Sequence, residues 1–137
     1  MKRAAAWGSE MTLPTRYFIN LTQPEIAAQL RKNPLVILPA GSVEQHGPHL
    51  PTGTDIYASN VIGHAVAERM DGLVLPGGPL GVTPMHMPFE GTLTLTPETY
   101  QQVVVETCAS VAQHGAKRLM ILNWQDRKST RLNSSHT

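Results

Sequence analysis

The sequence is short of cysteine and of charge, and each shortage removes a class of protein. A single cysteine, Cys108, excludes an internal disulfide and points to a reducing compartment. Charged residues are 15% of the 137, and the formal net charge is +1. That balance gives no electrostatic case for a nucleic-acid partner or a membrane surface. No apolar run approaches the roughly 18 residues of a spanning helix. The amino end, Met1-Lys2-Arg3-Ala4-Ala5-Ala6-Trp7, has two positive charges but lacks the apolar stretch of a signal peptide. No repeat of 20–50 residues is visible. A cytoplasmic protein with one domain and a real core is expected.

What is present is an alternation of helix and strand signals. Thr22 or Gln23 before Pro24 and Glu25 opens a helix over about 24–32, burying Ile26 and Leu30. Asn33-Pro34 ends it. Residues 35–38 are wholly apolar, as in a strand buried on both faces of a parallel sheet. A second helix is expected over 56–70, a second strand over 73–75. Residues 76–91 form a Pro/Gly-rich connection too long for a plain turn, and therefore a candidate functional loop. Thr96 as N-cap and Pro97 at the first helical position open a third helix, which stops near His114-Gly115. Residues 118–122 predict a third buried strand. The order α-β-α-β-loop-α-β is that of an α/β layered sheet with crossover helices.

The chemistry concentrates in Gly41-Ser42-Val43-Glu44-Gln45-His46-Gly47-Pro48-His49-Leu50-Pro51-Thr52-Gly53-Thr54-Asp55, directly after the first strand. Open α/β sheets place their ligands past the carboxyl ends of strands. Glu44 and His46, two apart in an extended segment, leave on one face with α-carbons roughly 7 Å apart. Asp55 lies where the loop closes onto the next helix and is able to swing back to the same point. A Glu/His/Asp set suits zinc or manganese. An ion held this way polarises a carbonyl and lowers the pKa of water to about 7, as amide hydrolysis requires. Spacing alone leaves a second account open, in which Glu44 bonds backbone amides and Asp55 is the N-cap of the helix that follows.

The run from Leu38-Pro39-Ala40-Gly41 through His49-Leu50-Pro51, followed by Thr54-Asp55, closely resembles the signature of the creatininase (creatinine amidohydrolase) family. Pro88-Phe89-Glu90-Gly91-Thr92-Leu93-Thr94-Leu95 resembles that family's FPGT-type segment, with Glu90 where proline is usual. His114-Gly115-Ala116 through Leu122-Asn123 is similar to the lead-in to its Asn-Gly-His motif. Together these cover about residues 16–123. The resemblance implies a three-layer α/β/α fold with a mostly parallel sheet, a centre of two divalent metal ions (zinc or manganese), and homo-oligomers, often hexamers. It implies metal-dependent hydrolysis of a C–N bond in a small amide substrate: a cyclic amide, a formamide or a small peptide. Glu44 then matches a ligand of one metal, His46 a ligand of the other, and Asp55 the carboxylate between them. His49, within the motif, and His86, in the long loop beside Met85 and Met87, are the substrate-side candidates. His64 and His114 are expected to be structural, and Cys108 a buried thiol.

The sequence departs from the family after Asn123, where Trp124-Gln125-Asp126 stands in place of the motif that supplies the remaining ligands. The sheet is therefore expected to be truncated after about the third strand, with residues 1–123 the amino-terminal part of the domain and the catalytic acid or base outside it. Residues from about 126 resemble translated sequencing-adapter DNA, so 124–137 is expected to be a non-native or disordered tail. On this account the chain alone is inactive. The alternative is a non-catalytic α/β domain that binds a small molecule or protein without metal. A nucleotide-binding domain is excluded, because no Gly-rich phosphate loop follows the first strand.

Overall fold

The computed structural model describes residues 12–78 and 80–124. Residues 125–137, where the tail and Asp126 are expected, lie outside the described residues. Three helices and three strands alternate: α1 (Gln23–Lys32), β1 (Leu35–Ala40), α2 (Thr54–Met70), β2 (Leu73–Val74), α3 (Pro97–Gln113) and β3 (Arg118–Asn123). The three strands form one sheet in the order β2-β1-β3, all parallel.

Local chemistry explains where the elements start and stop. Glu25 Oε2 accepts a 2.8 Å hydrogen bond from the Thr22 backbone N–H at the head of α1, where Pro24 forfeits nothing. Arg31 and Lys32 occupy the last turn, on the favourable side of the helix dipole. Thr96 Oγ1 caps α3 by accepting from Thr99 N–H, as its spacing predicts. Asp71 ends α2 in the left-handed conformation (φ 55°), one of the few non-glycine types that tolerates it.

All six residues of β1 are buried, two more than the sequence pattern marks. The extension runs through Pro39 because that residue has no N–H to leave unpaired where the short β2 has already ended. Leu75 N–H still donates to Ile37 O at 2.8 Å, so β2 guides the chain one residue past its formal end. Side chains then alternate between two layers. Val36 and Leu38 face α1 and α3, joining Leu30, Leu73, Leu75 and Val111 in one core. Ile37 faces α2, joining Ala67 and Val74 in the other. Three layers, α/β/α, follow from that division. Burying each such aliphatic side chain contributes about 1.5–3 kcal/mol.

The third strand corrects one expectation. β3 is an edge strand, not a buried one: Leu119 and Ile121 are 37% and 51% exposed, while Met120 and Leu122 pack toward α2. An apolar run reads the same whether one face or two are covered, and among the described residues β3 pairs only with β1. No helix among the described residues is long and apolar enough to cross a membrane.

Candidate metal centre

The carboxyl end of β1 runs straight into Gly41. A β-carbon there would stand 2.8 Å from the backbone carbonyl carbon of Asp55, so only glycine lets the strand end and the first turn of α2 meet. The intervening loop is tied down by backbone pairing. Val43 pairs with Leu93, Glu44 N–H donates to Thr52 O at 3.1 Å, and His46 bridges to Leu50. Gly47 takes a positive φ of 72°, which permits the tight reversal after His46.

The structure corrects the start of the second helix. α2 begins at Thr54, so Asp55 is in its first turn and is not the cap; Gly53 holds the N-cap position. Side chains in a helix tilt toward its amino end. From the first turn, Asp55 is thereby aimed back at the end of β1, where Ser42 Oγ donates to its Oδ2 at 2.9 Å.

Glu44, His46 and Asp55 converge, with one ligand atom of each lying within 4.8 Å of the others. Glu44 and Asp55 are buried and His46 is half-buried. The imidazole orientation is informative. His46 Nδ1 sits 3.0 Å from the Glu44 backbone oxygen, which can only accept, so Nδ1 carries the proton. In the neutral ring Nε2 is then a bare lone pair, and it faces Asp55 Oδ1 at 3.2 Å. Two acceptors at that distance require a cation between or upon them, either a proton or a metal ion. Without a metal the proton is favoured: the bond to the Glu44 carbonyl raises the His46 pKa above 6.5, burial opposes it, and the Asp55 charge adds to the rise. A histidine with Nδ1–H bonded to a backbone carbonyl and Nε2 free is also the arrangement of a metal ligand. Donor set, tautomer and spacing fit a divalent ion.

Four further side chains support this cluster, Gln45 among them only through His86, and of the four the sequence marks His86 alone, as a substrate-side candidate. Ser42 holds Asp55, as above. Thr83, fully buried in the long loop, donates its hydroxyl to Glu44 Oε2 in a short hydrogen bond. Gln45 lies within the motif but is not itself a ligand type; its amide bonds His86. His86, at the end of a 3₁₀ turn (Pro84–His86), has Nδ1 3.1 Å from Gln45 Nε2 and Nε2 3.6 Å from Glu44 Oε2. His49 is exposed, its ring against Gly47, and stands outside the ligand cluster. His64 makes an edge contact with Tyr17, with ring centroids 5.2 Å apart. His114 is the exposed C-cap of α3, and Cys108 is a half-buried free thiol.

The end of β3 abuts the same region. Asn123 is in register with Ala40, and Trp124 N–H donates to Ala40 O at 2.9 Å. The chain therefore leaves the sheet beside the cluster.

Residues 19–130 match the creatininase family profile, creatinine amidohydrolase. This chain belongs to the creatininase family. It is 36% identical over 99 residues to the mycofactocin precursor peptide peptidase of Mycobacterium ulcerans (strain Agy99), covering 66% of this chain and 39% of that protein. It is 33% identical over 109 residues to the creatinine amidohydrolase of Pseudomonas putida, covering 75% of this chain and 42% of that one. Among solved structures, a creatininase mutant of Zn-Zn type superposes with a TM-score of 0.79 at 29% identity, covering 86% of this chain and 48% of its own. A manganese creatininase gives 0.76 at 30% identity, covering 80% and 45%. The chain thus spans about two fifths of the curated relatives it matches. The truncated α/β creatininase fold expected from the sequence is the fold observed.

Proposed function

We propose that this chain carries part of the two-metal centre of a creatininase-type amidohydrolase. Glu44 would hold one divalent ion and His46 the other, with Asp55 as the carboxylate shared by the two. The observation that carries the reading is His46, its Nδ1–H held on the Glu44 carbonyl, turning Nε2 toward Asp55 Oδ1 with Glu44 in reach. The Zn-Zn and manganese forms of the structural relatives support zinc or manganese as the ions.

When bound, such ions act as Lewis acids toward a carbonyl and a water. The chain's own residues prepare that chemistry. Ser42 fixes Asp55 Oδ2 and so turns Oδ1 toward His46. The Glu44 backbone carbonyl sets the imidazole, and Thr83 sets the Glu44 carboxylate. His86 and the exposed His49 stand on the substrate side. The substrate class is an amide C–N bond in a cyclic amide, formamide or small peptide, in keeping with the amidohydrolase and peptidase names of the relatives. The chain spans about two fifths of its relatives' length, and on this reading it alone binds metal without turnover. The full protein is a cytoplasmic homo-oligomer with neither nucleic-acid nor membrane partners.

Trp124 after Asn123 favours a second reading, a metal-free binding domain. Zinc and manganese titrations of the purified chain beside Asp55→Ala separate the two. Stoichiometric binding that is lost in the variant supports the metal centre; equal, negligible binding by both chains would leave the metal-free domain.

A further inference from the structure

Gln45 and His86 share a hydrogen bond beside Glu44, and its direction is fixed at one end by the backbone. Gly47 N–H, which can only donate, gives its hydrogen to Gln45 Oε1 at 3.0 Å. The other end of that amide, Nε2, is therefore the donor, and it points at His86 Nδ1 across 3.1 Å. His86 Nδ1 must then accept. The neutral ring carries its proton on Nε2, the nitrogen that faces Glu44 Oε2 at 3.6 Å. Oε2 takes the Thr83 hydroxyl, and His86 Nε2–H lies just beyond hydrogen-bond reach of the same oxygen.

We propose that His86 is a positioning residue: Gln45 holds it in the Nε2–H tautomer so that, with Thr83, it steadies the Glu44 carboxylate from its Oε2 side for metal binding. This rests on the metal-centre reading above and adds to it the residue set that orients Glu44. In the neutral ring His86 keeps its proton on the nitrogen that faces Glu44, whereas neutral His46 keeps its proton on Nδ1 and leaves Nε2 as the ligating atom. In their neutral forms the two histidines thus have opposite tautomers at one site.

The test has two parts, both on the full chain. The first is nitrogen-15 NMR of the histidine rings without added metal, at a pH where the imidazoles are neutral. His86 is expected to be the Nε2–H tautomer, and Gln45→Glu, which replaces the amide donor with an acceptor, to move its proton to Nδ1. The second is zinc affinity by calorimetry. His86→Ala is expected to weaken binding by about 10–100-fold, the usual effect of removing a group that orients a ligand. His86→Gln, which can place an amide N–H where Nε2–H stood, restores most of that loss. An Nδ1–H tautomer in the unmodified chain overturns the proposal, as does zinc affinity unchanged by His86→Ala. Equal losses in His86→Ala and His86→Gln also overturn it, because they make His86 a direct ligand. Zinc binding that survives Asp55→Ala would sink the metal-centre reading instead, a result distinguishable from any of these.

Discussion

Gly41 and Asp55 meet backbone to backbone: the end of β1 lies so close to the first turn of α2 that a β-carbon at residue 41 would be 2.8 Å from the Asp55 carbonyl carbon. The contact joins the central strand to the helix that delivers a carboxylate. Since the obstructing atoms are backbone, they cannot move aside as a flexible side chain would.

Gly41→Ala should therefore act on both stability and site. Overpacking of this kind costs about 1–3 kcal/mol, read as a lower urea midpoint. The displaced Asp55 should also weaken zinc binding more than Gly53→Ala does, since a β-carbon at 53 meets only the Tyr57 ring. Equal zinc affinities in the two variants would refute the link from Gly41 to Asp55.

Metal binding should fall steeply with acid. The His46 pKa is raised above 6.5 chiefly by the bond to the Glu44 carbonyl, with burial opposing and Asp55 assisting. A protonated ring cannot ligate, so zinc affinity is expected to drop as pH falls through a midpoint above 6.5. In the metal-free chain the sign is opposite. The raised pKa stabilises the fold fully below the unfolded value, and that contribution is lost as pH rises through the folded one. Proton NMR of the His46 ring checks the midpoint, which Asp55→Asn should lower. A midpoint at or below 6.5 would contradict the geometry.

Asp71 governs the acid limb of stability. Its carboxylate pairs with Arg16 at 2.7 Å and Lys32 at 3.4 Å, and Gln29 Nε2 donates to it. Burial pushes its pKa up, but Arg16 and Lys32 together outweigh that and hold it below 3.8. The resulting stability is present above the unfolded pKa and lost as pH falls through the depressed value. Asp71→Asn keeps a residue that tolerates positive φ, so it should cost only the charge, about 0.5–1 kcal/mol near neutrality for pairs this exposed. The difference should vanish in strong acid. Parallel unfolding curves for the two chains at every pH would show that the ion pairs contribute nothing.

Thr83→Val removes the hydroxyl that serves Glu44 while keeping the shape. A buried carboxylate that loses a donor costs about 1–3 kcal/mol, and zinc affinity should fall with it. Thr83→Ser should behave like the parent in both assays. If the valine variant behaved like the parent while the serine variant lost affinity, the methyl group and not the hydroxyl would matter.

Much of the architecture was legible in order. Capping residues at Thr22 and Thr96, the apolar run at 35–38 and the turn at Asp71-Gly72 act through neighbours a few residues away, so their signals are local. The helix start at 54 was not legible, because Gly53 gives no side-chain cap and the first turn is held by tertiary contact with Gly41. Nor was the exposure of β3, since an apolar run does not say how many of its faces are covered.

The sequence by itself determined which side chains carry the chemistry: Glu44 and His46 are two residues apart and Asp55 closes the same short loop, so chain connectivity alone keeps them near one another. What only the tertiary structure decided was their state. Thr83 reaches Glu44 across 39 residues of sequence, and His86 reaches Gln45 across 41. No local period or spacing encodes those approaches. They exist because β1 and the long loop share the carboxyl end of one sheet, and the groups met there set how the carboxylate and the imidazole are held.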